Sequence, residues 1–227
     1  MRLVFVTGTD TEVGKTYASC ALLAAARAHG LIAAALKPVA SGCERTPDGL
    51  RNDDALRLLA ASNAGQDYAA VNPVALEPAI APHIAAARTG EELSLARLLP
   101  AVAALRRVPA DFALVEGAGG WLTPLNAEES LADLAEAARL PVVLVVGLRL
   151  GCLNHALLTA AHVRASGLPL VGWIGNCLTP EMPYLDENLA YLREHLDAPL
   201  LGVLPYAPGA EPEEVAQHLD LNPLLGG

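Results

Sequence analysis

A chain of 227 residues that is 53% apolar can bury one sizeable core, which excludes a disordered protein. Its formal charge of −10 argues against adhesion to nucleic acid or anionic membrane, yet permits a local anion site built from backbone N–H groups and one or two cations. No uninterrupted apolar run reaches bilayer length, because Arg27, His29 and Gly147 cut the longest candidates, and the segment 2–6 is too short for a signal-peptide core; a cytoplasmic protein is expected.

In chain order, apolar runs of strand length alternate with helical patterns. Residues 3–7 precede a helix over 15–29, and residues 32–36 follow it. Residues 38–52, rich in Pro, Ser, Gly and Asp, read as a long loop, and 53–107 as mostly helical with breaks near Pro73, Pro78 and Pro82. Residues 112–116 lead through a glycine-rich loop to a helix over 131–139. Strands 142–147, 170–175 and 200–204 then alternate with helices 153–166 and 185–195, before a short helix over 213–218. Pro141, Pro169 and Pro199 each open a strand, where a missing N–H does least harm. The strands are apolar throughout rather than alternating, as in a parallel sheet buried on both faces. One doubly wound α/β domain spanning 1–227 is the expectation. Cys20, Cys43, Cys152 and Cys177 lie far apart with no CxxC pair, so free thiols are expected rather than a metal site or disulfides.

The chain has only two lysines, Lys15 and Lys37, against thirteen arginines. Lys15 closes the loop Gly8-Thr9-Asp10-Thr11-Glu12-Val13-Gly14-Lys15-Thr16 between a strand and a helix, the context of a phosphate-binding P-loop. Backbone N–H groups at the helix start would hold phosphates, Lys15 would reach the β- and γ-phosphates, and the Thr16 hydroxyl would ligate Mg²⁺. Five residues separate the two glycines, where the usual spacing has four. A second acid is needed nearby. Glu116, at the end of a buried strand and followed by Gly117-Ala118-Gly119-Gly120, stands where open α/β sheets bind ligands. Asp53 and Asp54 are adjacent, and the residues alone do not choose between them; Asp53 suits a cap of the following helix. Lys37 reads equally as a strand-end lysine reaching for water, and residues 151–155 as a strand–helix turn capped by Asn154.

These segments resemble dethiobiotin synthetases: GTDTEVGKT at 8–16, Lys37-Pro38-Val39-Ala40-Ser41-Gly42, Arg51-Asn52-Asp53-Asp54, Glu116-Gly117-Ala118-Gly119-Gly120-Trp121 and Gly151-Cys152-Leu153-Asn154-His155, in that family's order. The resemblance runs to about residue 206 and includes the longer loop. It implies closure of a cyclic urea from 7,8-diaminopelargonate, CO₂ (or bicarbonate) and ATP with Mg²⁺, by way of a carbamate and a carbamic–phosphoric mixed anhydride. It makes Lys37, Lys15 and Glu12 the catalytic set and Thr16, Asp54 and Glu116 the metal set. Nucleotide contacts would come from Thr11, Glu12, Val13, Gly14, Lys15, Thr16, Tyr17, Glu116, Gly117, Ala118, Gly119, Asn176, Pro205, Tyr206 and Ala207. Glu211 is favoured over Glu213 for the ribose. Thr11, Lys37 and Ser41 would face the diamine. Gly151, Cys152, Leu153 and Asn154 would bind its carboxylate from the second subunit of a homodimer. Trp121, Trp173, His83 and His162 stay as packing or unassigned residues.

Two other readings share the loop. A cobyrinate-type amide synthetase needs an amidotransferase domain for which 227 residues leave no room. A partitioning or positioning switch ATPase carries an early loop lysine where this chain has Thr9 and Asp10. Neither nucleic acid nor membrane is an expected partner.

Overall fold

The structure, a computed structural model, describes residues 1–226. β1 (Arg2–Gly8) leads to α1 (Lys15–Ala28) and then β2 (Ala33–Leu36). A series of short elements follows: β3 (Val39–Ser41), β4 (Glu44–Thr46), β5 (Gly49–Arg51), α2 (Asp53–Ala61), α3 (Tyr68–Val71), β6 (Val74–Leu76), α4 (Pro82–Thr89) and α5 (Leu95–Leu105). The second half alternates regularly through β7 (Phe112–Gly120), α6 (Leu131–Ala137), β8 (Val142–Leu148), α7 (Cys152–Ala165), β9 (Leu170–Cys177), α8 (Leu185–His195), β10 (Leu200–Leu204), α9 (Pro212–Ala216) and α10 (Asn222–Leu225). No described helix is long and apolar enough to cross a membrane.

Six strands form one sheet in the order β10-β9-β8-β1-β7-β2, each neighbouring pair parallel. Along β1, Leu3 and Phe5 face one layer while Val4 and Val6 face the other. β8 does the same, with Leu144 and Val146 opposed to Val143 and Val145. Helices cover both faces, so both sets of side chains are buried. That is why the strands read as unbroken apolar runs. On one face lies α1, eleven of whose residues are buried beneath α2 and α9. Its Ala- and Leu-rich sequence, apolar nearly all round, suits that position.

β1 is central. The chain leaves it to one side for β2 and to the other for β8, β9 and β10, which opens a crevice past the carboxyl ends of β1 and β7, where such sheets bind ligands. The three prolines before β8, β9 and β10 lack an N–H, but their carbonyls enter the sheet. Pro141 accepts from Phe5 N–H at 2.7 Å, Pro169 from Val142 at 2.9 Å and Pro199 from Trp173 at 3.0 Å.

Four local expectations need correction. Residues 38–52 are not one loop. They hold β3, which pairs with β6, and the β4–β5 hairpin. β7 continues through the glycines to Gly120, since strand pairing with Gly8 persists beyond Glu116. Asp53 does not cap α2; Asn52 does, its side-chain oxygen accepting from Ala55 N–H at 3.2 Å. Likewise α7 is capped by Gly151 in the left-handed conformation, φ 94°, with no side-chain cap hydrogen bond, and Asn154 lies inside the helix.

Candidate active site

The phosphate loop is shaped by where Val13 goes. Val13 turns back into the core, 1% exposed, beneath Gly8 and Gly147. A Cβ added at Gly8 would lie 2.6 Å from Val13 Cγ2, and one at Gly147 would lie 2.9 Å from Val13 Cγ1. Glu12 at φ 60° and Gly14 at φ 83° then turn the backbone so that α1 starts at Lys15. A side chain at Gly14 would collide with the Asn176 amide. Asp10 ties the loop from inside. Its Oδ1 accepts from Thr11 N–H at 2.7 Å, its carbonyl accepts from Lys15 Nζ at 3.0 Å, and its Oδ2 pairs with Arg149 at 2.7 Å.

Next to the loop stands a buried cluster of charges. Parallel pairing sets Leu36 of β2 against Val115 of β7, so the next residues, Lys37 and Glu116, meet past the end of the ladder. Glu116 is fully buried; its Oε1 accepts from Lys37 Nζ at 2.7 Å and from the Thr16 hydroxyl at 2.8 Å. Its Oε2 is buried without a protein partner. Lys37 Nζ also lies 3.3 Å from Asp54 Oδ2. Burial alone would lower the Lys37 pKa, but Glu116 and Asp54 outweigh it and hold the ammonium above its ordinary value. Lys15 is pushed down from 10.5 to about 8, chiefly by burial and further by the Lys37 charge, with Glu116 opposing.

A cavity of 390 Å³ lies over this cluster. Thr11, Glu12, Gly14, Lys15, Thr16 and Tyr17 line its loop side; Lys37, Ser41, Asp54, Ala118 and Gly119 line the other. A second hollow of 180 Å³ gathers Tyr17, Asn176, Pro205, Tyr206 and Ala207. A third, of 670 Å³, runs from Thr16 and Tyr17 to Ala207 and Glu211. Asn176 Nδ2 donates to the Val13 carbonyl at 3.0 Å, leaving its buried Oδ1 without a partner.

The adjacent acids differ in their surroundings. Asp53 is exposed and bound to Arg57 one turn along at 2.8 Å, whereas Asp54 reaches Lys37. Both Glu211 and Glu213 line the third hollow, and Glu213 is also paired with Arg27 at 3.1 Å. Three residues expected at the nucleotide line none of these cavities: Val13 is core, Gly117 packs against Phe5, and Glu116 is fully buried beneath Lys37 and Thr16. Gly151, Cys152, Leu153 and Asn154 line none of these three hollows within the single chain, and Cys152 is buried in the core. Trp121 is packing, edge-on to Phe5 at 5.9 Å with its N–H donating to His162 at 3.0 Å.

Sequence reasoning missed Asp10, Asn52 and Arg57. Asp10 and Asn52 sit inside the motifs already quoted, but their roles are contacts with distant segments. Arg57 lines both the catalytic cavity and the third hollow, so an arginine joins the two lysines after all.

A parallel sheet with β1 at its centre and a glycine loop ending in Lys15-Thr16 defines a P-loop nucleotide-binding protein. Solved structures of the same fold agree: MinD from Aquifex aeolicus (TM-score 0.56, 14% identity, covering 95% of this chain and 93% of that one), and a ParA family ATPase from Chlorobium tepidum (TM-score 0.54, 13% identity, 95% and 96%). A family model described as an AAA domain matches residues 2–214. The chain belongs to the ATP-dependent dethiobiotin synthetase family: it is 57% identical to the Pseudomonas paraeruginosa enzyme over 99% of this chain and 98% of that one. It is likewise 57% identical to the Cellvibrio japonicus enzyme (97% and 96%) and 52% identical to that of Xanthomonas campestris (96% and 96%).

Proposed function

We propose that this protein is an ATP-dependent cyclo-ligase that forms dethiobiotin from 7,8-diaminopelargonate and CO₂. The observation that carries the reading is the buried Lys37 ammonium, held between Glu116 and Asp54 beside the phosphate loop. One amine of the diamine takes up CO₂ as a carbamate, whose oxygen attacks the γ-phosphate and releases ADP. The second amine attacks the carbamate carbonyl, and phosphate leaves. Two anions must approach in the first transfer, so cations between them lower the barrier. Lys37, kept protonated by its two carboxylates, suits that role on the substrate side, and Lys15 on the nucleotide side. Ser41 and Thr11 line the same cavity and would hold the diamine, with Glu12 beside the transferred phosphoryl group.

Mg²⁺ fits the residues present. The unpartnered Oε2 of Glu116, the Thr16 hydroxyl and the Asp54 carboxylate are hard oxygen donors. Mg²⁺ is commonly held by one or two carboxylates together with waters and substrate phosphates. When bound, the ion would neutralise charge on the β- and γ-phosphates. On the base side, the free Oδ1 of Asn176 accepts but cannot donate, which matches the amino group of adenine. The substrate carboxylate is assigned to the N-terminus of α7 from the second subunit of a homodimer. Exposure of Gly151, Asn154 and the fully exposed Leu150 supports that reading.

The test is an assay with ATP, Mg²⁺ and bicarbonate, with and without 7,8-diaminopelargonate, following dethiobiotin by mass. Phosphate release should require the diamine; release indifferent to it would sink the assignment. Lys37→Arg should lose about 100-fold in turnover while binding ATP nearly as well, because a forked guanidinium does not fit between two fixed carboxylates as a compact ammonium does.

A further inference from the structure

Lys37 lies at a discontinuity. Leu36 ends β2 in the large sheet, Val39 begins β3 in a separate sheet, and Pro38 between them has no N–H. The Lys37 peptide groups therefore need partners from outside either ladder. Residues 71–72 supply both: Lys37 N–H donates to the Val71 carbonyl at 2.7 Å, and Asn72 Nδ2 donates to the Lys37 carbonyl at 2.8 Å.

Asn72 is itself held. It is 3% exposed; its Nδ2 also donates to the Val74 carbonyl at 3.2 Å, and its Oδ1 accepts from the Tyr68 hydroxyl at 3.0 Å. That hydroxyl accepts from Asn52 N–H at 2.7 Å. The Asn52 side chain then does two things. Its Nδ2 donates to the Ser41 carbonyl at 3.3 Å, and its Oδ1 caps α2, whose first turn carries Asp54. The Arg51 guanidinium lies 4.3 Å over the Tyr68 ring and keeps it in place. Each of the three side chains is thus held on both its donor and its acceptor side, which favours one geometry for the network.

Resting on the reading above, we infer that Tyr68 is a positioning residue for the reaction: its hydroxyl, through Asn72 and Asn52, sets Lys37, Ser41 and Asp54 relative to one another. The phosphate loop is built separately, on β1, α1 and Asp10, and among the described residues is joined to this network only through Lys37, whose ammonium shares Glu116 Oε1 with the Thr16 hydroxyl. The network should therefore govern chemistry and diamine binding more than ATP binding.

The experiment uses the full chain as wild type, Tyr68→Phe and Asn52→Ser, with kcat, KM for the diamine, ATP affinity and thermal midpoint measured for each. Tyr68→Phe keeps the ring under Arg51 and removes only the hydroxyl. It should lower kcat by about tenfold while ATP affinity stays within about twofold. Asn52→Ser retains a competent helix cap but frees the Ser41 carbonyl, and should raise KM for the diamine by about fivefold. Unchanged kcat in Tyr68→Phe overturns the inference. So does a parallel fall in kcat, ATP affinity and thermal midpoint, which would mark general loosening. A wild type without diamine-dependent turnover overturns the function and this inference together; an active wild type with an unaffected variant overturns the inference alone.

Discussion

Lys15 and Lys37 are both ammonium groups removed from water, yet their surroundings drive them in opposite directions. Lys37 gains more from Glu116 and Asp54 than it loses by burial, and stays charged across the working range. Lys15 has a backbone carbonyl as its hydrogen-bond partner and sits at about 8. A triphosphate placed against Lys15 favours the ammonium and raises that value again. The sign follows: between the lowered and the raised value, the complex carries a proton that the free protein lacks. ATP binding should take up a proton near pH 8 to 9, and affinity should fall as pH rises through about 8. Calorimetry in two buffers of different ionisation enthalpy reads the uptake directly. Identical heats in both buffers at pH 8.5 would show that Lys15 does not titrate on binding.

At the scale of elements, the loop and the strands beneath it form one packed unit. Val13 fills the space left by Gly8 and Gly147, while Asn176 fills the space over Gly14 and bonds back to Val13. Three segments far apart in sequence thus share one small volume, and a single methyl group there has no room to relax. Gly14→Ala should weaken ATP binding by at least about 100-fold, since it combines a left-handed backbone position with a collision at the Asn176 amide. Isothermal titration measures it, and a retained affinity would mean that the loop re-forms around the clash. The glycine pattern was legible in the sequence as a phosphate loop. The reason for Gly147 was not, because its partner Val13 lies across β1 and β8.

For the whole molecule, the turn before α7 is the least satisfied surface. Leu150 is fully exposed and Leu158, further along α7, is 63% exposed, in a chain whose other leucines are mostly core. The proposed homodimer requires a second subunit that covers them and sets the α7 N-terminus beside its neighbour's Lys37. Leu150→Asp, free of contacts in the single chain, should leave folding and ATP binding intact while shifting the protein to monomer and reducing dethiobiotin formation by about tenfold or more. Light scattering with size exclusion gives the state, and full activity as a monomer would remove the shared-site reading.

Much of the fold and the centre of the site were written locally. The parallel sheet followed from strands apolar on both faces. The loop followed from two glycines separated by five residues, with Lys15 and Thr16, and Glu116 from its place at a strand end. These are properties of short segments, set by backbone freedom and by which side chains can be buried. Tertiary structure alone decided the rest. It set Asp54 within reach of Lys37 and Asp53 within reach of Arg57. It paired Glu213 with Arg27 and set Glu211 in a capping box with Glu214. It joined Thr16 to Glu116 across 100 positions of sequence, and drew Tyr68, Asn72 and Asn52 into one network behind Lys37. Hydrogen bonds and ion pairs form only between groups brought within about 3 Å, and for residues distant in the chain that proximity is a product of folding, not of spacing.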